Sequence, residues 1–291
     1  VEQGSSSAGM DVGDKMTVRD CLYAMLLKSA NEVANALAEH TAGSVQNFAV
    51  LMNAKAKELG CQESHFNNPS GLNDPQHYTS AYDTAILSAA VSEYDCYNEF
   101  FNTRLDYVRE GERQTQLLNT NKLMQRYDGI IGGKTGTTDK AGCCLAVWAK
   151  RGNMKLCAVA LGCKESEQRF TACTDLLDYG FSGFELYRTA VDSDVLTPVT
   201  VTEGLEKQAD IRVKRLNTIV IPKGSSKRIE YTHTVADNLS APVRYGEKVG
   251  EIRASLDGEE IFYSDIVTTG EIGELNFFSS LGIILRSLFS M

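Results

Sequence analysis

Two short motifs carry side chains whose types and spacing could do chemistry. Lys134-Thr135-Gly136 lies on a predicted strand, where the lysine supplies positive charge and the threonine hydroxyl or nearby backbone N–H groups can bind a carboxylate or an oxyanion. Gly136 leaves room for a substrate backbone to pair with the strand edge. Without a ligand, the same three residues are an ordinary strand end.

The second motif, Ser29-Ala30-Asn31, is less specific, because a Ser-x-Asn triplet occurs about once by chance in a chain of this length. Ser29 and Glu32 also have the spacing of a capping box, which explains the serine without any function. The two interpretations are compatible, since a serine at the start of a helix exposes its hydroxyl at the positive end of that helix.

Helices and an antiparallel sheet must position these motifs. Apolar spacing predicts helices over 17–28, 29–40, 44–59, 80–91 and 167–179, with Thr17 and Ser80 as N-caps and Gly60 and Gly180 as stops. Two apolar runs, 143–150 and 154–162, are joined by a short turn and predict a β-hairpin. Helices before, strands in the middle and a helix after indicate an α+β domain.

Beyond about residue 190 the helical periodicity disappears. Short β-prone runs alternate with turn residues, and Asp257-Gly258 occupies the place of a two-residue hairpin turn. These features predict an α+β domain over 1–188 and an all-β domain over 189–272. Apolar side chains at helical spacing in 275–291 predict a C-terminal amphipathic helix, assigned to 273–291, that lies in a membrane interface; a helix packed on the β-domain is the alternative.

The composition is that of a globular protein, with 291 residues, 43% hydrophobic residues and a net charge of −9. The negative charge argues against a nucleic-acid partner. All eight cysteines lie at or before position 173 without a C-x-x-C pair, so we interpret them as buried apolar thiols. Four histidines without ligand spacing predict no metal site, and no organic cofactor is indicated.

The order and spacing of the two motifs are more specific than either motif alone. Lys134-Thr135-Gly136 begins 105 residues after Ser29, which resembles the second and third motifs of the penicillin-recognising serine acyl-transferases. The flanks from Gly133 to Gly142 resemble one branch, the low-molecular-mass penicillin-binding proteins that are D-alanyl-D-alanine carboxypeptidases. The segments 67–72 and 77–83 and Arg169 also match that family, so the resemblance covers nearly the whole chain.

One motif of the family is missing. Its nucleophile belongs to a Ser-x-x-Lys motif well before the Ser-x-Asn motif, and no serine here has a lysine three places on. The resemblance therefore implies an incomplete β-lactamase/DD-peptidase-like domain without its nucleophile. Because the chain begins at Val1 and shows no signal peptide, we expect a fragment of a longer gene product, with a noncatalytic relative as the alternative.

For the complete protein, the resemblance implies removal of the terminal D-alanine of a peptidoglycan stem peptide ending in D-Ala-D-Ala. The reaction would pass through an acyl-enzyme, and β-lactams would inhibit it. Ser29 would relay a proton to the leaving nitrogen, and Lys134 would maintain the electrostatics of this network. Asn31 would hydrogen-bond the substrate amide.

The resemblance also implies a set of substrate-binding groups around the third motif. The Thr137 backbone N–H would form half of the oxyanion hole, beside Lys134 and Gly136. Thr135 and Arg169 would bind the terminal carboxylate, the arginine through a two-point contact. His77 is a further substrate-binding residue on this view, with a structural loop histidine as the alternative.

Other functions and the location follow from the same resemblance. A noncatalytic peptidoglycan-binding protein would keep the groove without turnover, and an endopeptidase would cut the same bond with a bulkier leaving group. A class A β-lactamase is disfavoured because those enzymes lack an extra β-domain and use Ser-Asp-Asn. The family implies the extracytoplasmic face of the bacterial cytoplasmic membrane, with attachment through 275–291. In that compartment eight cysteines imply either disulfides or a reducing habitat.

Overall fold

A computed structural model describes residues 5–109, 114–191, 193–277 and 281. The chain divides into two units, Val1–Ser182 and Gly183–Met291. The first unit combines helices with antiparallel strands and the second is built of strands, which confirms the predicted α+β and all-β classes. The domain boundaries predicted after residues 188 and 272 stay predictions.

The first unit contains helices and five strands within the described residues. The helices are α1 (Val18–Lys28), α2 (Asn31–Ala42), α3 (Val45–Glu58), α4 (Ala81–Ser92), α5 (Asp95–Asn102) and α6 (Ser166–Gly183). The strands are β1 (Leu105–Val108), β2 (Thr115–Leu118), β3 (Ile130–Thr138), β4 (Gly142–Arg151) and β5 (Met154–Cys163). The sequence did not predict α5, β1 or β2, because elements of eight residues or fewer show too little periodicity.

Side-chain caps mark the starts of α1, α3 and α4. The Thr17 Oγ1 accepts a hydrogen bond from the Asp20 backbone N–H at 3.0 Å, and the Ser80 Oγ accepts one from the Asp83 N–H at 3.2 Å. These contacts satisfy N–H groups that have no partner inside the helix. The two caps confirm the predicted starts of α1 and α4.

The β4–β5 hairpin belongs to a sheet whose strand order is β3-β4-β5, with β4 in the centre. The predicted hairpin is confirmed, but Arg151 belongs to β4 and pairs with Met154, so the turn has two residues instead of the three predicted to connect the strands. Side chains of a strand alternate between the two faces of the sheet, and one face of β4 and β5 packs against α6. The core on this face includes Leu145, Val147, Ala158, Phe170 and Leu177.

A second core covers the other face of the sheet with α1 and α5. Trp148 of β4 is 2% exposed there, and its ring centroid lies 4.9 Å from that of Phe101 in an edge-to-face arrangement. Other buried members are Tyr23, Leu27, Val33, Phe100 and Leu117. Because helices cover both faces, β3 has a fixed position against the α1–α2 region.

The C-terminal end of α6 differs from the prediction. The helix continues to Gly183 instead of stopping at Gly180. A Cβ on Gly180 would lie 2.5 Å from Leu156 Cδ1 of β5, so the glycine lets the helix pass close to that strand. Close packing, and not a helix stop, accounts for this residue.

The cysteines are less buried than predicted. All eight are free thiols, and only Cys21 and Cys173 are buried. Cys96 is exposed and the other five are partly exposed, so their interpretation as buried apolar residues is wrong for most of them. Within the described ranges, no group of three or more His, Cys, Asp or Glu side chains could hold a metal ion.

The second unit consists of β6 (Phe184–Arg188), β7 (Val199–Thr202), β8 (Gln208–Ala209), β9 (Ile211–Val213), β10 (Thr218–Pro222), β11 (Ile229–Val235), β12 (Asn238–Ser240), β13 (Lys248–Leu256) and β14 (Glu259–Thr268). Its largest sheet has the order β11-β13-β14-β9. The predicted two-residue turn joins β13 and β14, with Asp257 and Gly258 at φ of 54° and 89°. The core includes Val199, Ile211, Ile252, Phe262 and Ile266.

In the part of the chain that the structure describes, no helix has the length and apolarity needed to span a membrane. The amphipathic helix predicted over 275–291 lies outside the described residues except for 275–277 and 281.

Candidate active site

Ser29 lies at the junction of α1 and α2, but it does not cap α2. It is the C-terminal cap of α1, with a left-handed backbone at φ 58° and ψ 40°, and α2 begins at Asn31 without a side-chain cap. The predicted capping box is therefore wrong. Glu32 Oε1 instead accepts hydrogen bonds from the Ala8 N–H at 2.7 Å and the Ser7 hydroxyl at 2.8 Å. Since the left-handed turn separates Ser29 from the first turn of α2, its hydroxyl is available to a different partner.

That partner is Lys134, whose ammonium group joins the two motifs. The Lys134 Nζ donates hydrogen bonds to Ser29 Oγ and to the Thr135 carbonyl oxygen, the latter at 2.7 Å. Burial, together with repulsion from the Arg169 guanidinium, lowers the pKa of Lys134 to about 8. The side chain is therefore mainly charged at pH 7 and titrates just above it.

Asn31 lines the same cavity as Ser29 and Lys134, and it is 8% exposed. Its backbone N–H donates to the Ser6 carbonyl oxygen at 3.0 Å. Among the described residues, its side-chain amide has no hydrogen-bond partner, so both its donor and its acceptor are available to a ligand.

The third motif lies on β3, which pairs only with β4 in the described part of the sheet. Thr135 is buried, and its Oγ1 lies 2.5 Å from Thr120 Oγ1. Gly136 is exposed, and a Cβ added there would meet Cys144 Cβ at 3.9 Å, an ordinary van der Waals distance. Thr137 is also exposed. The packing of the fold itself therefore does not require a glycine at position 136.

Arg169 comes from α6, but its guanidinium lies against the end of β3. Its Nη1 donates to the Gly136 carbonyl oxygen and to Thr137 Oγ1, both at 3.0 Å, and its Nη2 donates to Ser166 Oγ at 3.0 Å. The residue is 8% exposed, and all these acceptors are neutral. Within the described ranges, neither Arg169 nor Lys134 pairs with a carboxylate. A buried and a partly buried cation without an anionic partner form a receptor for an anion.

The loop over 67–77 forms the wall opposite β3. Asn68 Oδ1 accepts a hydrogen bond from the Gly71 N–H at 2.8 Å, which closes the loop on itself. Thr138 Oγ1 lies 2.8 Å from Asn73 Oδ1 and donates to it, which ties the loop to the end of β3. The distance between the two walls of the groove is thereby fixed at this end.

His77 is half-buried at the base of this loop and lines the cavity. Its Nδ1 accepts a hydrogen bond from the Asn67 N–H at 3.2 Å, so in the neutral ring the proton lies on Nε2. Burial lowers the pKa of His77, which the nearby Asp74 carboxylate offsets in part. The ring is therefore neutral at pH 7.

All the predicted site residues line one cavity of about 980 Å³; they are Ser29, Asn31, His77, Lys134, Thr135, Gly136, Thr137 and Arg169. Its other wall is apolar and includes Met25, Leu26, Leu87, Phe101 and Trp148. The sequence did not single out Thr120 or Asn73 as site residues, although both line the cavity. The loop composition around Asn73 could have indicated a site residue there, whereas no sequence pattern marks Thr120.

This arrangement joins a Ser-x-Asn turn, a Lys-Thr-Gly edge strand and an arginine from the following helix in one groove, as in the class that the motifs resemble. Residues 1–165 match the family described as D-alanyl-D-alanine carboxypeptidase, and residues 184–274 match the C-terminal domain of penicillin-binding protein 5. The chain belongs to the D-alanyl-D-alanine carboxypeptidase family, whose members are periplasmic or cell-wall enzymes.

Individual relatives agree with this assignment. D-alanyl-D-alanine carboxypeptidase DacF of Bacillus subtilis is 33% identical over 280 residues, which are 96% of this chain and 72% of the relative. D-alanyl-D-alanine carboxypeptidase DacA of Escherichia coli is 30% identical, with 99% of this chain and 72% of the relative covered. The crystal structure of penicillin-binding protein 5 from Haemophilus influenzae superposes with a TM-score of 0.80 at 28% identity, over 94% of this chain and 79% of that one. These matches confirm the family resemblance and the fold.

Proposed function

We propose that the groove binds the D-Ala-D-Ala end of a peptidoglycan stem peptide, and that the complete gene product is a serine carboxypeptidase that removes the terminal D-alanine. The observation that carries this proposal is the pair of cations, the buried Arg169 and the partly buried Lys134, without a carboxylate partner among the described residues. A peptide ending in a free carboxylate supplies the missing negative charge. β-Lactams, which carry a carboxylate beside a reactive amide, act at the same place.

The site residues take the following roles in this proposal. Arg169 and Thr135 bind the terminal carboxylate, and the Thr137 backbone N–H donates to the oxyanion that forms on the scissile carbonyl. Asn31 holds the substrate amide with its free side chain. Ser29, hydrogen-bonded to Lys134, delivers a proton to the departing D-alanine nitrogen.

His77 has a substrate-binding role in the same proposal. Because its Nδ1 is occupied by the Asn67 N–H, its Nε2–H is the group free to donate to an acceptor in the groove. A neutral ring at pH 7 serves as such a donor without adding charge. The hydrogen bond from Asn67 also gives His77 a structural role in the loop, so a substitution of His77 affects both substrate binding and the loop.

The family's nucleophile motif is not found in these 291 residues, since no serine is followed by lysine three places on. The cavity beside Ser29 and Lys134 has an apolar wall. We propose that an element carrying Ser-x-x-Lys packs on this wall in the complete gene product and supplies both the nucleophile and its base. On this view the chain by itself binds the peptide and is not acylated.

The carboxylate receptor is tested by calorimetric titration of this chain with an acetylated tripeptide ending in D-Ala-D-Ala and with the same tripeptide ending in an amide. The acid is expected to bind at least about tenfold more tightly, because it alone neutralises the two cations. Arg169→Gln should abolish this preference, whereas Arg104→Gln, at an exposed arginine, should keep it. Equal affinity for acid and amide in the unmodified chain contradicts the proposal.

The reaction is tested on the complete gene product. Release of D-alanine from the tripeptide and covalent labelling by a fluorescent penicillin are expected, together with no labelling of the present chain. Peptide binding without release or labelling in the complete product supports a noncatalytic peptidoglycan-binding protein, for which the missing Ser-x-x-Lys is the favouring observation. Cleavage restricted to cross-linked dimers identifies an endopeptidase.

We further propose that the protein works at the extracytoplasmic face of the cytoplasmic membrane, attached through 275–291. The support is the family's place in the cell envelope and the apolar spacing of that segment. In flotation with vesicles containing phosphatidylglycerol, the full chain is expected to float. A chain ending at residue 274 should remain at the bottom, and flotation of both would contradict attachment through this segment.

A further inference from the structure

Two of the partly exposed thiols face each other across the β4–β5 hairpin. Cys143 of β4 and Cys163 of β5 are register partners in an antiparallel ladder. Directly opposed residues in such a ladder have Cα atoms about 4.5 to 5.5 Å apart and side chains on the same face of the sheet. A disulfide bond needs a Cα separation of roughly 4.4 to 6.8 Å, so the register of this pair is compatible with a disulfide.

The ladder is irregular next to this pair, and the backbones of the two strand ends pack closely there. The register shifts between Cys143 and Leu145, and Gly162 adopts a φ of +70° beside Cys163. Gly142 also has a positive φ, and a Cβ there would lie 2.7 Å from the Cys163 carbonyl oxygen. The backbone therefore places the two cysteines opposite each other at a closely packed strand end.

The neighbouring cysteines are less suited to the same bond. Cys144 follows Cys143 directly, so its side chain lies on the opposite face, where its Cβ would face a Cβ at Gly136. Cys157 is the register partner of Trp148, and not of a cysteine. Cys173 packs in the core beneath the sheet and is fully buried, which shields it from an oxidant in solution.

We propose that Cys143 and Cys163 are a redox pair that closes to a cross-strand disulfide when the protein meets a small-molecule disulfide. One thiolate attacks a sulfur of the oxidant and displaces one small thiol, leaving a mixed disulfide. The second thiolate attacks the protein sulfur of this intermediate and displaces the other small thiol. Two electrons pass to the oxidant, and the two thiol protons end on the two released small thiols.

Closure of this bond acts on the strand end that carries part of the site. Cys143 is the register partner of Thr137 on β3, and the Cys144 carbonyl oxygen accepts a hydrogen bond from Arg169 at 3.3 Å. A bond between β4 and β5 at this point restrains the backbone under both residues. The inference stands on the sheet register alone, so it holds or fails independently of the proposed function.

The test is oxidation of the fully reduced chain with oxidised glutathione under native conditions, followed by thiol titration and tryptic mass spectrometry. Loss of two of the eight thiols is expected, with peptides 141–150 and 156–164 joined and their summed mass about 2 Da lower. The bond should raise Tm by about 5 °C, and reduction should reverse this shift. Retention of all eight thiols overturns the proposal.

Each of those two peptides contains two cysteines, so matched variants assign the bond. Cys143→Ser and Cys163→Ser should each abolish the joined peptide and the shift in Tm. Cys144→Ser and Cys157→Ser, in the same two peptides, should keep both. A joined peptide that survives Cys143→Ser, or one that links Cys163 to the peptide of Cys173, overturns the proposal. Fragmentation of the joined wild-type peptide assigns the bond directly if a variant fails to fold.

Discussion

At the scale of single residues, the chemistry of the site depends on the environment of the Lys134 ammonium group. The Lys134 side chain is partly buried, and among the described residues its ammonium group hydrogen-bonds two neutral oxygens. Burial favours the uncharged amine, and the nearby Arg169 guanidinium acts in the same direction. The negative charge of a bound carboxylate opposes both effects, so ligand binding and protonation of Lys134 must be linked.

This linkage predicts how affinity depends on pH. With a pKa of about 8, Lys134 is roughly nine-tenths protonated at pH 7 and one-tenth protonated at pH 9. The affinity for a tripeptide ending in D-Ala-D-Ala is therefore expected to fall about fivefold or more between these values. Calorimetry at pH 8 should also detect proton uptake on binding, since the carboxylate raises the pKa of Lys134.

Lys134→Gln is the control for this prediction. It should give weak binding with a flat profile over the same range and no proton uptake, because Arg169 stays charged throughout. A flat profile in the unmodified chain would mean that Lys134 does not titrate near pH 8.

Gly136 illustrates how function and packing can be separated at one residue. A Cβ at this position meets nothing closer than 3.9 Å, so Gly136→Ala should change the free energy of unfolding by less than about 0.5 kcal/mol. The same methyl group lies where a substrate backbone would approach the strand, and it should weaken tripeptide binding at least about tenfold. Urea denaturation and calorimetric titration measure the two effects.

The matched control is Gly132→Ala on the same strand. A Cβ there would lie 2.5 Å from the Trp148 ring, so this variant should lose about 1 to 3 kcal/mol of stability through overpacking. Undiminished binding by Gly136→Ala would remove the reason for a glycine in the motif.

At the scale of elements, the break between α1 and α2 decides where the Ser29 hydroxyl points. A left-handed residue other than glycine is unfavourable, because its Cβ approaches the following carbonyl oxygen. The surrounding structure tolerates this conformation because it brings Ser29 Oγ to Lys134. Continuous helix through residue 29 would direct the hydroxyl elsewhere.

A pair of variants measures this backbone effect. Ser29→Ala and Ser29→Gly both lose the hydroxyl, but only the glycine removes the left-handed penalty. The glycine variant is therefore expected to be about 1 kcal/mol more stable than the alanine variant in urea denaturation. Equal stability, or a more stable alanine variant, would show that residue 29 does not have this conformation in solution.

At the scale of the whole molecule, the two units have separate cores. The core of the second unit contains only residues of that unit, Ile252 and Ile266 among them, and each of these two is at most 1% exposed. Residues 184–274 also match a domain family of their own. We propose on this basis that the second unit is an independently folding domain.

The corresponding prediction is that residues 183–277, expressed alone, show a β-type circular dichroism spectrum and a cooperative thermal transition. Ile266→Ala should destabilise this fragment by about 2 to 5 kcal/mol by leaving a cavity. Val220→Ala, at a side chain that is 56% exposed, should cost less than about 0.5 kcal/mol. A fragment without a cooperative transition would contradict independent folding.

Local sequence patterns predicted much of the fold because the relevant forces act over a few residues. The caps at Thr17 and Ser80 satisfy N–H groups of the next turn, and the Asp257-Gly258 turn needs only its own two backbone conformations. For the same reason, a pattern could not distinguish a stop from a close contact at Gly180, since Leu156 lies on a distant strand.

The sequence by itself determined the family, the α+β and all-β classes and the motif residues that line part of the groove, because motif order and hydrophobic period are written along the chain. Only the tertiary structure decided that Ser29 turns away from α2 toward Lys134, and that the buried Arg169 and the partly buried Lys134 have no anionic partner among the described residues. The tertiary structure also decided the strand register that brings Cys143 opposite Cys163. These features depend on burial and on contacts between segments far apart in sequence, which no local pattern contains.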